Sequence, residues 1–236
     1  MMSYLNKWQR QIDKKESFVL IITFIFVFIA YEYVLFSQVS AEKYFLKALN
    51  YLSKAHSATK ELVINRSLFY QNALESLEKS SHLNPLDSRG YFEYADALVE
   101  MVSEPEMLNS LEIKNFGARY EGESGFYDLA KMKYAEAIAK EPTNSIYHLR
   151  LGNIYDKLSD PIKAEKELAI SALLDPQNIK IRLYLSRYFW LSNRKEIALL
   201  HLKKAVALYK LIPRSMLSDE VENFAKAVGH EELIKK

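Results

Sequence analysis

Ala164, Leu168 and Ser171 recur in kind at a fixed interval along the chain. Moving on 34 residues gives Ala198, Leu202 and Ala205; moving back 34 gives Ala130, Tyr134 and Ala137, with Pro142 standing for Pro176. Few folds allow such a period. A unit of this length cannot bury its own apolar face, so successive units must stack on one another to make a continuous core. The clearest unit, residues 145–178, reads as an amphipathic helix, a short Asp-Pro turn, a second amphipathic helix and a second Asp-Pro. An all-α chain of helical hairpins follows.

Within that unit Leu151-Gly152, then Tyr155, Ala164, Leu168, Ser171 and Pro176 resemble the tetratricopeptide repeat. The small residues have a physical role. Antiparallel helices approach closely only where one presents Gly, Ala or Ser and the other fills the gap. Gly152 costs about 1 kcal/mol inside a helix relative to Ala, and close packing at Ala164 is the expected compensation.

The N-terminal stretch has a different character. Residues 18–36, FVLIITFIFVFIAYEYVLF, hold a single charge, Glu32. At 1.5 Å per residue such a run spans roughly 28 Å, close to the hydrocarbon thickness of a bilayer. A transmembrane helix over 17–37 is expected. Val39-Ser40-Ala41 also satisfies the small-residue cleavage rule, but the run exceeds the core of an ordinary signal peptide, so an uncleaved anchor is expected.

Lys7, Arg10, Lys14 and Lys15 precede the span, whereas only Lys43 and Lys47 lie in the 16 residues after Phe36. The positive-inside rule then puts the N-terminus in the cytoplasm and the large domain across the membrane. In residues 1–16, Leu5, Trp8 and Ile12 share a helical face that suits a membrane interface; a frayed tail is the alternative. Glu32, between Tyr31 and Tyr33, either marks the outer interface or pairs with a partner helix inside the membrane.

The repeat domain is expected over 40–236. Residues 40–57 offer a first repeat helix, and a second near 66–83 carries Ala73, Leu77, Ser80 and then Pro85. Ala48 and Ala73 are 25 residues apart where Gly152 and Ala164 are 12 apart, so the first hairpin is longer or looped. Residues 88–102 form the next first helix, followed by an insertion, 103–125, that holds Gly117, Gly122 and Gly125. Long insertions at hairpin turns lie on the surface and are often functional; simple decoration is the other reading. In the last repeat Ser186 replaces the Gly, as suits a terminal unit. A capping helix over 218–229 is expected to bury Leu217, Val221, Phe224, Ala225 and Val228, with Gly229 ending it.

Composition excludes several classes. A net charge of +2 gives no electrostatic argument for nucleic acid. The chain has no cysteine, which removes disulfides, thiolate metal sites and thiol nucleophiles. His56, His82, His148, His201 and His230 are scattered, and no phosphate loop or nucleophile elbow occurs. No enzyme, metal or cofactor is expected.

In the tetratricopeptide family the first helix of each hairpin lines a concave groove for peptide segments. The resemblance carries this onto Phe92 and Asp96, then Leu149, Asn153 and Asp156, then Lys180, Leu183, Arg187 and Trp190 as protein-binding candidates. Trp190 is open to a second reading, packing under the terminal helix. The expected function is a membrane-anchored scaffold or accessory subunit that assembles or stabilises a membrane protein complex. The similar layout of bacterial assembly factors suggests the inner membrane, with the repeats in the periplasm. The alternative is a receptor or chaperone-like adaptor that captures peptide segments in the groove.

Overall fold

The computed structural model describes residues 2–58, 63–104, 122–211 and 216–234. Among them nine α-helices follow one another without a strand. These are α1 (Met2–Ser57), α2 (Val63–Leu83), α3 (Ser88–Val102), α4 (Gly122–Lys140), α5 (Ser145–Lys157), α6 (Pro161–Leu174), α7 (Ile179–Leu191), α8 (Lys195–Tyr209) and α9 (Met216–Ala227). A 3₁₀ turn, Glu231–Leu233, follows. The pairs α1/α2, α3/α4, α5/α6 and α7/α8 form four hairpins that stack in order.

The first helix is the longest. Neither Gly nor Pro occurs before Pro85, so nothing in α1 interrupts its 56 residues, roughly 84 Å at the usual rise. The apolar run and the first repeat helix are one element. The stretch of α1 beginning at Ile22 is long and apolar enough to cross a membrane, and none of its apolar window is buried in the protein. Phe26 is 70% exposed and Phe36 72%, which a core helix of a globular domain would not tolerate. Among the described side chains of α1 the buried face starts at Ala41 and continues through Phe45, Ala48, Leu52 and Ala55.

One cassette joins successive hairpins. Asn84-Pro85, Glu141-Pro142 and Asp175-Pro176 each open a β-turn with Pro at its second position, where the fixed φ of Pro fits. The turn carbonyls of Asn84, Glu141 and Asp175 accept from the amides of Asp87, Asn144 and Asn178 at 3.2, 3.2 and 3.3 Å. Those three residues are in turn the N-caps of α3, α5 and α7, their side chains accepting from backbone amides two residues on. The same four residues thus end one repeat and start the next.

The turns inside the last two hairpins are also alike. Ser159 and Asn193, 34 residues apart, have φ of 59° and 58°. Asp160 N–H donates to the Tyr155 carbonyl and Arg194 N–H to that of Phe189, both at 2.8 Å. This is the left-handed helix stop in which the second residue beyond the end bonds back to the last turn. Gly229, at φ 77°, ends α9 the same way, with His230 N–H on the Ala225 carbonyl at 2.9 Å.

Small residues let the hairpins close. Ala48, Ala73, Ala95, Ala130, Ala164 and Ala198 are fully buried. A Cβ on Gly152 would lie 2.9 Å from both Cγ and Cδ2 of Leu168 and 3.2 Å from the Ala164 carbonyl oxygen. The helices of that hairpin therefore touch at Gly152. In the fourth repeat Ser186 uses the same place differently: its hydroxyl donates to the Ala198 carbonyl at 2.7 Å.

The first hairpin is longer than the others because both of its helices are extended. Ala48 is nine residues from the end of α1 and Ala73 ten from the start of α2; Gly152 and Ala164 are five and three from theirs. The extension is held by Arg66, which is only 7% exposed. Its Nε donates to the Ala55 carbonyl at 3.1 Å, and its two terminal nitrogens donate to Glu104 at 2.5 and 2.6 Å.

Two boundaries differ from those expected. α4 starts at Gly122, so the last four residues of the expected insertion form its first turn; 105–121 lie outside the described residues. α9 starts at Met216, two residues before Ser218. Val221 and Ala225 are fully buried against α7 and α8, with Phe224 and Val228 partly so. The side chains of Leu217 and of Leu5, Trp8 and Ile12 lie outside the described residues.

Candidate functional site

The first helices α3, α5 and α7 lie side by side as the stack proceeds, and the candidate binding residues divide among three environments. Leu149, 9% exposed, packs with Ile181, Leu185 and Leu168. Leu183, 2% exposed, packs with Val221 and Ala225 of the cap. Both leucines belong to the core between repeats and offer no free surface to a ligand. The pattern of a single hairpin cannot show this, because the atoms that cover each leucine come from the next unit.

Phe92 and Asp96 are committed to neighbouring helices. Phe92 stacks on Tyr147 with centroids 4.7 Å apart and tilts against Tyr134 at 5.8 Å. Asp96 accepts a hydrogen bond from the Tyr134 hydroxyl and pairs with Arg150 at 3.3 Å. Burial raises its pKa, against the opposing pull of Arg150. The same burial, followed by repulsion from Asp96 and Glu100, raises that of Glu93. Glu100 receives the Tyr70 hydroxyl at 3.1 Å and lies 2.8 Å from His56 Nε2. Glu93, Asp96 and Glu100, at helical spacing on α3, make an acidic stripe partly answered by Arg150. Sequence reasoning at fixed repeat positions found only Asp96; the i, i+3, i+7 spacing of acids was the available signal.

The remaining candidates face solvent. Asn153, Asp156 and Arg187 share a recess of about 430 Å³ between α5 and α7, with Tyr184 and Tyr188 in its wall. Burial raises the pKa of Asp156 and of Tyr184, the latter further through the Asp156 charge. Arg187 lies across to the cap: its guanidinium is 5.6 Å from the Phe224 ring centroid and 3.6 Å from Glu220. Lys180 is exposed at the start of α7. Trp190 is half-buried, edge-on to His230 at 6.4 Å, with the Lys195 ammonium 5.4 Å from its centroid. It packs beside the terminal segment. Glu32 is exposed on α1. Among the described residues no group of three or more His, Asp or Glu is placed to hold a metal ion.

No protein-family model matches the sequence, and no curated protein matches it. Solved structures do. The human IFIT1 dimer with PPP-AAAA aligns with 78% of this chain and 42% of its own, at 17% identity and a TM-score of 0.55. A monomeric IFIT1 mutant with Gppp-AAAA covers 72% of this chain and 38% of that one, at 17% identity and 0.53. The Arabidopsis OM64 TPR domain covers 64% and 95%, at 14% identity and 0.46.

The fold is a tetratricopeptide-type helical solenoid. Its four hairpins span less than half the length of IFIT1. In this solenoid the recess between α5 and α7 belongs to the first-helix face, and the cap α9 reaches it through Arg187.

Proposed function

We propose that the chain is a membrane-anchored tetratricopeptide scaffold, an accessory subunit that holds a protein partner while a membrane complex assembles or is stabilised. The observation that carries this is the unbroken α1. One helix presents an exposed apolar sleeve and then supplies the core of the first hairpin, so the anchor and the scaffold are a single rigid piece. A solenoid also exposes an extended face that its own core does not require. On this reading the N-terminus lies in the cytoplasm and the repeats lie on the other side of a bacterial inner membrane. The reading is of a binding protein, not an enzyme.

The recess between α5 and α7 favours a second reading, an adaptor that captures peptide segments. Mixed amide, carboxylate, guanidinium and phenol groups converge there, as in sites that fix a chain by a few placed polar contacts.

Site-specific photo-crosslinking on intact membranes tests both. A crosslinker at Asn153 should capture one stoichiometric partner that survives detergent purification, and one at exposed Leu200 should not. Many exchangeable products from Asn153 would favour the adaptor. No product from Asn153, with the partner released when residues 18–36 are exchanged for an unrelated span, would place recognition in the anchor and remove the groove reading.

A further inference from the structure

We propose that the turn at residues 84–87 rests in the interfacial layer of the bilayer beside α1, with Leu86 as its lipid contact. This rests on the membrane-anchored reading above. Four contacts fix the level of the turn. Ser80 Oγ donates to the Ala41 carbonyl at 2.9 Å, and Ser37 Oγ donates to the Leu83 carbonyl at 2.5 Å. Arg89, just beyond the turn, donates to Glu42 at 2.7 Å and lies 4.7 Å over the Phe45 ring.

The direction of travel follows. Passing from Ser80 to Leu83 along α2 moves the contact on α1 from Ala41 back to Ser37, toward the apolar run. The chain continues that way past Leu83 before α3 turns it back, level with Glu42 and Phe45. The apex of the turn is therefore abreast of the last residues of the run, where Tyr33, Val34 and Phe36 are exposed. Leu86 is 79% exposed there.

The chemistry of the turn suits such a place. Pro85 has no N–H to desolvate, and the Asn84 carbonyl is bonded to the Asp87 amide at 3.2 Å. The Asp87 carboxylate is held by Arg89 at 2.7 Å, which keeps its pKa down despite burial. The occupant is lipid because the turn is continuous with the exposed sleeve of α1. A folded partner seated on Leu86 would have to displace lipid from the exposed apolar sleeve of α1 at the same level.

The absence of cysteine makes the test simple, since any introduced thiol is unique. Single variants Leu86→Cys, Leu191→Cys and Phe26→Cys of the full chain carry the fluorophore NBD and are reconstituted into phosphatidylcholine vesicles with or without nitroxide-labelled lipid. All three sites are exposed, Leu191 at 86% on the far end of α7, so labelling leaves the packing intact. Emission from positions 86 and 26 should shift to shorter wavelength and be quenched by the labelled lipid, while position 191 stays as in water. Quenching at 26 with position 86 behaving like 191 would overturn the proposal and leave the anchor standing. A blue shift at 86 without lipid quenching means that protein, such as a second copy, covers the turn, and also overturns it. No quenching at 26 would remove the anchor and the proposal together.

Discussion

Arg182 holds in the fourth repeat the place that His148 holds in the third. His148 Nε2 donates to the Pro142 carbonyl at 3.0 Å, and Arg182 Nε to the Pro176 carbonyl at 2.9 Å. Their second partners are also one period apart: Glu167 lies 2.7 Å from His148, and His201 lies 3.5 Å from Arg182. Different residues thus tie the last two inter-repeat turns to the helix behind them. The partners differ in charge, and pH dependence follows from that difference.

Burial, then the charges of Arg182 and Lys204, push the His201 pKa down to about 4. The fold favours neutral His201, as its acceptor role toward Arg182 requires. Its contribution is fully present above the unfolded value near 6.5 and is lost as pH falls toward 4. The melting temperature of the full chain in detergent, followed by circular dichroism, should drop between pH 6.5 and 4 more steeply than that of His201→Gln. Equal slopes would mean that His201 is not held neutral.

Arg182→Ala should cost about 1–3 kcal/mol, because it leaves the Pro176 carbonyl without its donor. Arg182→Lys should restore only part of this, since an ammonium cannot copy the guanidinium fork. Denaturant titration of both variants measures it. A fully stable Arg182→Ala protein would show that water replaces the guanidinium.

Gly152→Ala sets two effects against each other. Alanine gains about 1 kcal/mol in helix propensity, but its Cβ would enter the space of a fully buried Leu168 side chain. Over-packing commonly costs about 1–3 kcal/mol, so a net loss is expected, larger for Gly152→Leu. A higher melting temperature for Gly152→Ala would mean that Leu168 moves aside freely.

Arg66 and Glu104 form an asymmetric pair. The guanidinium is buried and the carboxylate is partly exposed. Glu104→Ala strands a buried charge, which for fully buried pairs costs about 3–5 kcal/mol; partial exposure of the site puts the expected loss below that range. Arg66→Met removes the charge with its partner left near water and should cost less. Melting of the two single variants checks the order, and the reverse order would show that Arg66 counts mainly through its bond to Ala55.

Much of the fold was legible because repeat chemistry is local. Pro85, Pro142 and Pro176, with caps at Asp87, Asn144 and Asn178, mark the joints without any tertiary information. The continuity of α1 was legible too, in the lack of Gly and Pro before Pro85, although the expected bounds set the span, 17–37, apart from the first repeat helix, 40–57. The candidate face was less accessible. Leu149 is covered by Ile181 and Leu185 of the next repeat, and Asp96 is answered by Tyr134 and Arg150 from two other helices. Those neighbours exist only once the hairpins have stacked.

The unbroken α1 also fixes a phase. Each residue of an α-helix advances about 100° around its axis, so Glu32 lies about 160° from Ala48 and about 180° from Ala41. Both alanines face α2, which puts Glu32 on the opposite side of the rod. Inserting one residue near Val39 would swing the solenoid by about 100° relative to Glu32 and part Ser37 from the Leu83 carbonyl. Whatever meets Glu32 approaches from the side that the repeats leave open, with the stack facing away like a flag behind its pole.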